Sequence, residues 1–284
     1  MSPVPPPLPT IILDPIVRLA LAEDLGRAGD LTTDATISPE TTMSVVIAAR
    51  QPGVIAGLDA AAHALHLIDP AMTLTIEKPD GSGIVPGDVI GRLEGTARSI
   101  LTAERTMLNF VGRLSGVATL TRTFVDAVAH TDTRIVCTRK TTPGHRALEK
   151  RAVRCGGGTA HRYGLDDAIL IKDNHIAACG SIAEAMTRAK AYAGHLRMIE
   201  IEVDTLEQLE EALKHTPHAI LLDNMDTDTL RRAVKIIDGR VTTEASGGVN
   251  LSTVAAIAET GVDYISVGAL THSAPNLDVG LDVV

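Results

Sequence analysis

The stretch MIEIEVDTLEQLEEALKHTPHAILLDNMDTDTLRRAVKII, residues 198–237, holds the fold in miniature. Met198–Val203 and Ala219–Leu222 are short aliphatic runs suited to buried strands. Leu206–His215 and Thr227–Ile237 carry apolar residues at helical spacing. Short buried strands alternating with amphipathic helices predict right-handed βαβ units and a parallel sheet. The same rhythm extends outward, with strands expected at Arg134–Cys137, Ala168–Ile171, Val241–Thr243 and Tyr264–Val267. Further helices are expected at Ser181–Ala193 and Ser252–Thr260. Six strands in order, with no dinucleotide-type glycine fingerprint after the first, favour a closed or nearly closed α/β barrel over a doubly wound sheet.

Every one of these strands ends near polar residues or glycine. The first runs into Thr138-Arg139-Lys140 and the second into Lys172-Asp173-Asn174-His175. Glu202 and Asp204 end the third, and Asp223-Asn224 come after the fourth. The fifth leads to Glu244-Ala245-Ser246-Gly247-Gly248 and the sixth to Gly268-Ala269. In α/β barrels these ends converge on one mouth, where the chemistry is sited.

Upstream the pattern differs. Met1–Thr10 holds five prolines and reads as a loose extended tail, neither signal peptide nor membrane span. Ile11–Leu25 reads as a helix stopped at Gly26. Strands come next at Met43–Ala49, Gly53–Ala56, Met72–Glu77 and Val89–Leu93, then a helical stretch over Thr102–Ala129, broken or bent near Ser115-Gly116. The expected division is residues 1–115, joined by 271–284, and residues 116–270.

Composition narrows the functions open to the chain. A net charge of -9 argues against broad electrostatic binding to nucleic acid or to anionic membrane. Three cysteines without a CxxC pair argue against a disulfide framework or thiolate zinc site, and fit a reducing cytoplasm. Against this acidic background, residues 134–172 carry nine Lys or Arg and three acids, a local surplus of six positive charges.

For Lys150, Arg151 and Arg154, a solvated helix face competes evenly with a binding role. Arg139, Lys140 and Lys172 adjoin buried strands, where unpaired cations are costly, so they are expected to face a ligand with several negative charges. His161-Arg162 comes after Gly156-Gly157-Gly158, whose missing side chains let backbone approach a ligand or turn sharply. Glu202 and Asp223, from adjacent strands, suit Mg²⁺ through water or direct contact with sugar hydroxyls, with Glu200 and Asp204 as competitors on the Glu202 strand. Ser246-Gly247-Gly248 and Val267-Gly268-Ala269 form candidate phosphate cradles, with His272 as an added donor. Glu104, Arg105, Asn109 and Arg113 lie in an otherwise apolar helix, and their position leaves open whether they form core ion pairs or a binding surface.

Taken together, the segments EDLGRAGDLTT (23–33), TAERTMLNFVGRLSG (102–116), TRKTTPG (138–144) and GGGTAHRYGLDDAILIKDNHI (156–176) resemble the quinolinate phosphoribosyltransferase family. IEIEVDTL (199–206), ILLDNM (220–225), EASGG (244–248) and GVDYISVGALTHS (261–273) extend the resemblance over nearly the whole chain. It implies an α/β fold with an N-terminal α/β sandwich and an incomplete parallel α/β barrel. It also implies phosphoribosyl transfer from phosphoribosyl pyrophosphate to quinolinate with decarboxylation, giving nicotinate mononucleotide for NAD biosynthesis. No organic cofactor is implied, only Mg²⁺.

By the same resemblance the protein works as a homodimer or larger homo-oligomer, with Arg105 reaching into a neighbouring active site. Thr138, Arg139, Lys140, His161, Arg162 and Lys172 would line the quinolinate and pyrophosphate region. Glu202 and Asp223 would serve ribose and metal, and Ser246–Gly248, Val267–Ala269 and His272 the 5-phosphate. Lys140, Lys172, Glu202 and Asp223 would carry the chemistry. Cys137, Arg151 and Ala160 depart from the family's usual acid, Tyr and Asn. The alternatives are a nicotinate-specific transferase without decarboxylation, a Schiff-base aldolase using Lys172, and a non-catalytic anion sensor.

Overall fold

The computed structural model describes residues 4–284 and divides the chain into two compact units. The first comprises residues up to 122 together with 141–157 and 270–284; the second comprises 123–140 and 158–269.

In chain order the first segment forms α1 (Thr10–Leu25), α2 (Leu31–Thr36), β1 (Thr42–Ala49), β2 (Gly53–Val54), α3 (Leu58–Ile68), β3 (Leu74–Ile76), β4 (Gly83–Ile84), β5 (Val89–Thr96) and α4 (Ala97–Ala127). The remainder forms β6 (Arg134–Val136), α5 (Arg146–Cys155), β7 (Ile169–Ile171), α6 (Asp173–Cys179), α7 (Ile182–Tyr192), β8 (Ile199–Val203), α8 (Leu206–Lys214), β9 (Ala219–Asp223), α9 (Thr227–Ile237), β10 (Thr242–Ser246), α10 (Val254–Ala258), β11 (Tyr264–Ser266), α11 (Ala269–His272) and β12 (Val279–Val283).

The first unit is built on an antiparallel sheet in the order β12-β1-β5-β3. Val45–Ala49 pair with Val279–Val283, so the sheet joins residues far apart in the chain. The core is aliphatic: Val45, Ile47, Ile90 and Leu93 are buried, as are Leu58, Ala61, Ala64 and Leu65 of α3. Residues Val4–Pro9 form no helix or strand, yet the expected loose tail is tied down. The Leu8 amide donates to Asp59 at 3.2 Å, and Arg151 Nε donates to the Pro6 carbonyl at 3.0 Å.

Two helical features differ from expectation. α4 runs unbroken through Ser115-Gly116. Ser115 turns its hydroxyl inward, accepting from the Ala56 amide at 2.9 Å. Gly112 and Gly116, one turn apart on the same face, let residues 275–277 lie against the helix. The Leu277 amide donates to the Gly112 carbonyl at 2.9 Å. These glycines serve close approach, which sequence alone does not separate from a break. In α5, Lys150 and Arg151 are buried and Arg154 is exposed, so only Arg154 fits a solvated face. Arg151 pairs with Asp80 and lies 3.6 Å from Asp59. Arg113 is likewise a core ion pair, 2.8 Å from the fully buried Glu149.

The second unit is a six-stranded parallel sheet in the order β6-β11-β10-β9-β8-β7, with helices between its strands. The sheet begins at β6 and ends at β7. A single parallel bridge, Val136 to Thr159, extends it beyond β6. The architecture is therefore an incomplete parallel barrel. Register fixes levels across it: Glu202, Leu221 and Glu244 pair side by side on β8, β9 and β10, and Asp223 pairs with Ser246 one level on. Because side chains alternate, the members of these levels share a face with residues two positions away along each strand.

A Cβ at Gly116 would run into the Pro275 carbonyl oxygen, which is backbone and yields only if the segment shifts. Gly116→Ala is therefore expected to cost about 1–3 kcal/mol of stability, read as a lowered urea midpoint.

Candidate active site

At the C-terminal ends of the parallel strands lies a cavity of about 390 Å³. It is lined by Thr138, Arg139 and Lys140 after β6, His161 and Arg162 from the segment that bridges to β6, and Lys172 after β7. Glu202 of β8, Asp223 of β9 and Ser246 of β10 line it too, whereas Gly247, Gly248, Val267, Gly268 and Ala269, also expected from sequence, do not. Leu170, Leu221, Glu244 and Ser266 line it as well. Candidate residues from strands and connecting segments far apart in the chain thus converge on one space.

The cations here are not neutralised one for one. Lys172 Nζ meets the Glu202 carboxylate, and Glu202 is 8% exposed. Arg162 donates through Nη1 to the Ala168 carbonyl at 3.1 Å. The Nε atoms of Arg139 and Arg162 are buried without a hydrogen-bond partner. Burial holds the Arg162 guanidinium below its usual pKa, and the charge of Arg139 adds to that. An unsatisfied buried donor costs about 1–3 kcal/mol, which a bound anion would relieve. Carboxylate or phosphate suits these planar forks.

Asp223 is half-buried and accepts from Asn224 Nδ2 at 2.5 Å. Glu202 and Asp223 offer hard carboxylate oxygens from neighbouring strands, the donor type that Mg²⁺ prefers. Of their sequence competitors, Asp204 is exposed, and Glu200 is taken up by His161 Nε2 at 3.0 Å.

The cradle segments lie at the ends of β10 and β11. Gly247 and Gly248 have φ of 95° and 63°, and a Cβ at Gly247 would strike the Asn224 side chain. Only glycine fits there without strain. The Val267 amide donates to the Val136 carbonyl at 2.9 Å and is therefore committed to β6, while Gly268 and Ala269 come next in the chain. Arg105 and His272 belong to the first unit; both are exposed, and His272 Nδ1 lies 2.6 Å from the Ser273 hydroxyl.

Sequence reasoning gave Glu244 no role. It is 6% exposed, and its carboxyl is pushed up to about 7 by burial and by the nearby Glu200 charge, against the pull of His161. The signal was present: Glu244 precedes Ser246 by two residues on one strand and so shares its face.

If the orphaned guanidinium donors serve an anion, inorganic pyrophosphate will bind the protein and Arg139→Ala will weaken that binding by about tenfold or more. Isothermal titration reads the change, and unaltered affinity would remove Arg139 from the site.

Comparison with known proteins agrees in both halves of the chain. Residues 30–115 match the family model described as "Quinolinate phosphoribosyl transferase, N-terminal domain" and residues 117–282 the one described as "Quinolinate phosphoribosyl transferase, C-terminal domain". The "Probable nicotinate-nucleotide pyrophosphorylase [carboxylating]" of Bacillus subtilis (strain 168) is 46% identical over 261 residues, covering 92% of this chain and 90% of that protein. The "Nicotinate-nucleotide pyrophosphorylase [carboxylating]" of Mycobacterium leprae (strain TN) is 47% identical over 275 residues, covering 94% and 95%. The crystal structure of NadC from Streptococcus pyogenes aligns with a TM-score of 0.94 at 38% identity, covering 99% of this chain and 100% of that one. On these matches, and on the fold they share, the chain belongs to the quinolinate phosphoribosyltransferase family.

Proposed function

We propose that this protein transfers the phosphoribosyl group of phosphoribosyl pyrophosphate to quinolinate with loss of carbon dioxide. The products are nicotinate mononucleotide and pyrophosphate, a step in de novo NAD formation. The observation that carries the reading is the cavity itself, where Arg139, Lys140, Arg162 and Lys172 are joined by the carboxylates of Glu202, Asp223 and Glu244 from three neighbouring strands. Quinolinate brings two carboxylates and its co-substrate a diphosphate and a phosphate, a charge load that matches those cations.

In this reading Arg139 and Arg162, with His161, fix the pyridine dicarboxylate, and their forks set its orientation. Lys140 and Lys172 stabilise the departing pyrophosphate as the ribose C1 gains positive character. Glu202 and Asp223 would hold Mg²⁺, directly or through water, and face the ribose. When bound, Mg²⁺ supplies Lewis-acid stabilisation of the pyrophosphate leaving group. Attack by the pyridine nitrogen on C1 makes that nitrogen cationic. The cation then stabilises the electron pair left on C2 when the neighbouring carboxylate departs. Backbone amides after β10 and β11 would receive the 5-phosphate.

Arg105, exposed on α4 of the first unit, fits donation to the site of a second copy in a homodimer or larger assembly. Among the described residues no helix is long and apolar enough to cross a membrane, and Cys137, Cys155 and Cys179 form no disulfide, which supports action in the cytoplasm.

The first test supplies the purified protein with Mg²⁺, phosphoribosyl pyrophosphate and either quinolinate or nicotinate. Nicotinate mononucleotide with one carbon dioxide per turnover, from quinolinate alone, is the expected result. Product from nicotinate without carbon dioxide would overturn it.

Shared sites make a second prediction. Arg105→Ala and Glu202→Ala should each be inactive alone, yet mixing them under subunit exchange should restore about a quarter of the sites. No recovery in mixed oligomers would show that Arg105 acts within its own subunit or not at all.

A further inference from the structure

His161, Glu200 and Glu244 form a cluster whose ligand-type atoms all lie within 4.8 Å of one another. His161 Nε2 is 3.0 Å from Glu200 Oε2 and 3.6 Å from Glu244 Oε2. Two carboxylates this close, and largely out of water, are not both ionised cheaply unless a proton is held between them. That proton sits on the imidazole or on a carboxyl, so the trio keeps one transferable proton in either arrangement.

The cluster forms a wall between two cavities. Glu244, His161 and Arg162 line the catalytic cavity, and the same three residues line a second cavity of about 400 Å³. Glu200 lines the second, together with Ala219, Thr242 and Tyr264 from the N-terminal parts of their strands. A proton held by this wall is therefore adjacent to the reactants on one side and to a separate space on the other.

The proposed reaction has an unmet requirement that this arrangement answers. When the C2–carboxylate bond breaks, carbon dioxide leaves and the electron pair stays on C2. The product carries hydrogen at that carbon, so an acid must supply a proton there. Resting on the phosphoribosyl-transfer reading, we propose that Glu244 is the acid that protonates C2 after decarboxylation, and that His161 reloads it. In the step, C2 takes the proton of the Glu244 carboxyl, which becomes a carboxylate. His161 then takes up a proton from water reaching the cluster by the second cavity and passes one through Nε2 to Glu244, so that the trio again holds a single transferable proton. No oxidant or further reactant enters the balance. Glu200 holds the imidazole in place throughout and is a positioning residue.

The groups facing Glu244 fit this role. Glu200 from β8 disfavours its ionised form, while His161 and Lys172 favour it and the Ser266 hydroxyl bonds to it from β11. With the carboxyl raised to about 7, a substantial fraction is protonated at neutral pH, where a general acid works best. Because the acid form donates, turnover should be retained below about 7 and lost as pH rises through that value.

The test separates donor from scaffold by the origin of hydrogen at C2. Wild-type protein and Glu244→Gln are run with quinolinate in equal parts H₂O and D₂O, and the protium-to-deuterium ratio at C2 of the product is read by mass spectrometry. That ratio reports the donor even where another step limits the rate. The expected result is a ratio changed in Glu244→Gln, kcat reduced by about 10²–10⁴, quinolinate affinity by titration unaltered, and the loss of the alkaline limb. A ratio and kcat matching wild type would overturn the proposal, as would weakened quinolinate binding with kcat intact at saturation, which would leave Glu244 as scaffold for His161. Should Glu244→Gln not fold, the wild-type protium-to-deuterium ratio decides: a ratio that stays constant as pH rises through about 7 overturns the assignment. Absence of carbon dioxide release by wild type would instead refute the parent reading, so the two failures are distinct.

Discussion

Holding cations at the ends of buried strands is the constraint around which the second unit is arranged. Two guanidiniums with orphaned donors and two ammoniums share one cavity with three carboxylates, those of Glu202, Asp223 and Glu244. The buried Nε donors of Arg139 and Arg162 are the groups that a multiply charged anion would satisfy. Everything that brings the cations there stems from parallel pairing, which points all six strand ends the same way. The register of β8, β9 and β10 then sets acids at fixed levels beneath them. Glu202 tempers Lys172 at the cavity, while Glu244 at the same level and Glu200 one level deeper both approach His161.

The barrel half was legible because its strands are short, mostly aliphatic and separated by amphipathic helical stretches. Each of them was expected within three residues of where it lies, and several of the polar residues after them, among them Arg139, Lys172, Glu202 and Asp223, line one cavity. The first unit was harder. α3 is rich in alanine and buries Leu58, Ala60, Ala61, Ala64 and Leu65, so its surface pattern is weak, and it starts after Gly57 at φ 96°. α2 is six residues of mostly threonine-rich sequence, held by Asp30 accepting from the Thr33 amide at 3.0 Å. Local propensity gives little sign of α2, whereas the alanines and leucines of α3 favour a helix.

Charge was open to two readings for a different reason. Lys150, Arg151, Arg113 and Glu149 look like surface residues of helices. The burial of three of them depends on partners elsewhere in the chain: Asp80 for Arg151, and one another for Arg113 and Glu149. Thr142 adds two bonds to Glu149, from its amide at 3.0 Å and its hydroxyl at 2.8 Å. No short window of sequence contains both halves of such pairs. Glu244 escaped for the opposite reason: it sits in a recognisable motif, and the glycines beside it drew attention to phosphate instead.

The pairing of β12 with β1 bears on how the protein is made. β1 can gain its outer neighbour only after residues 279–283 have left the ribosome, by which time every strand of the barrel has been synthesised. Until then β1 presents an open edge of unpaired backbone groups flanked by Val45 and Ile47, the kind of surface that invites pairing with another chain. The first unit begins the chain yet is among the last parts able to finish folding. Nascent chains therefore stand exposed for most of translation, and shielding by a chaperone, or by early docking of a neighbour, would matter most during that interval.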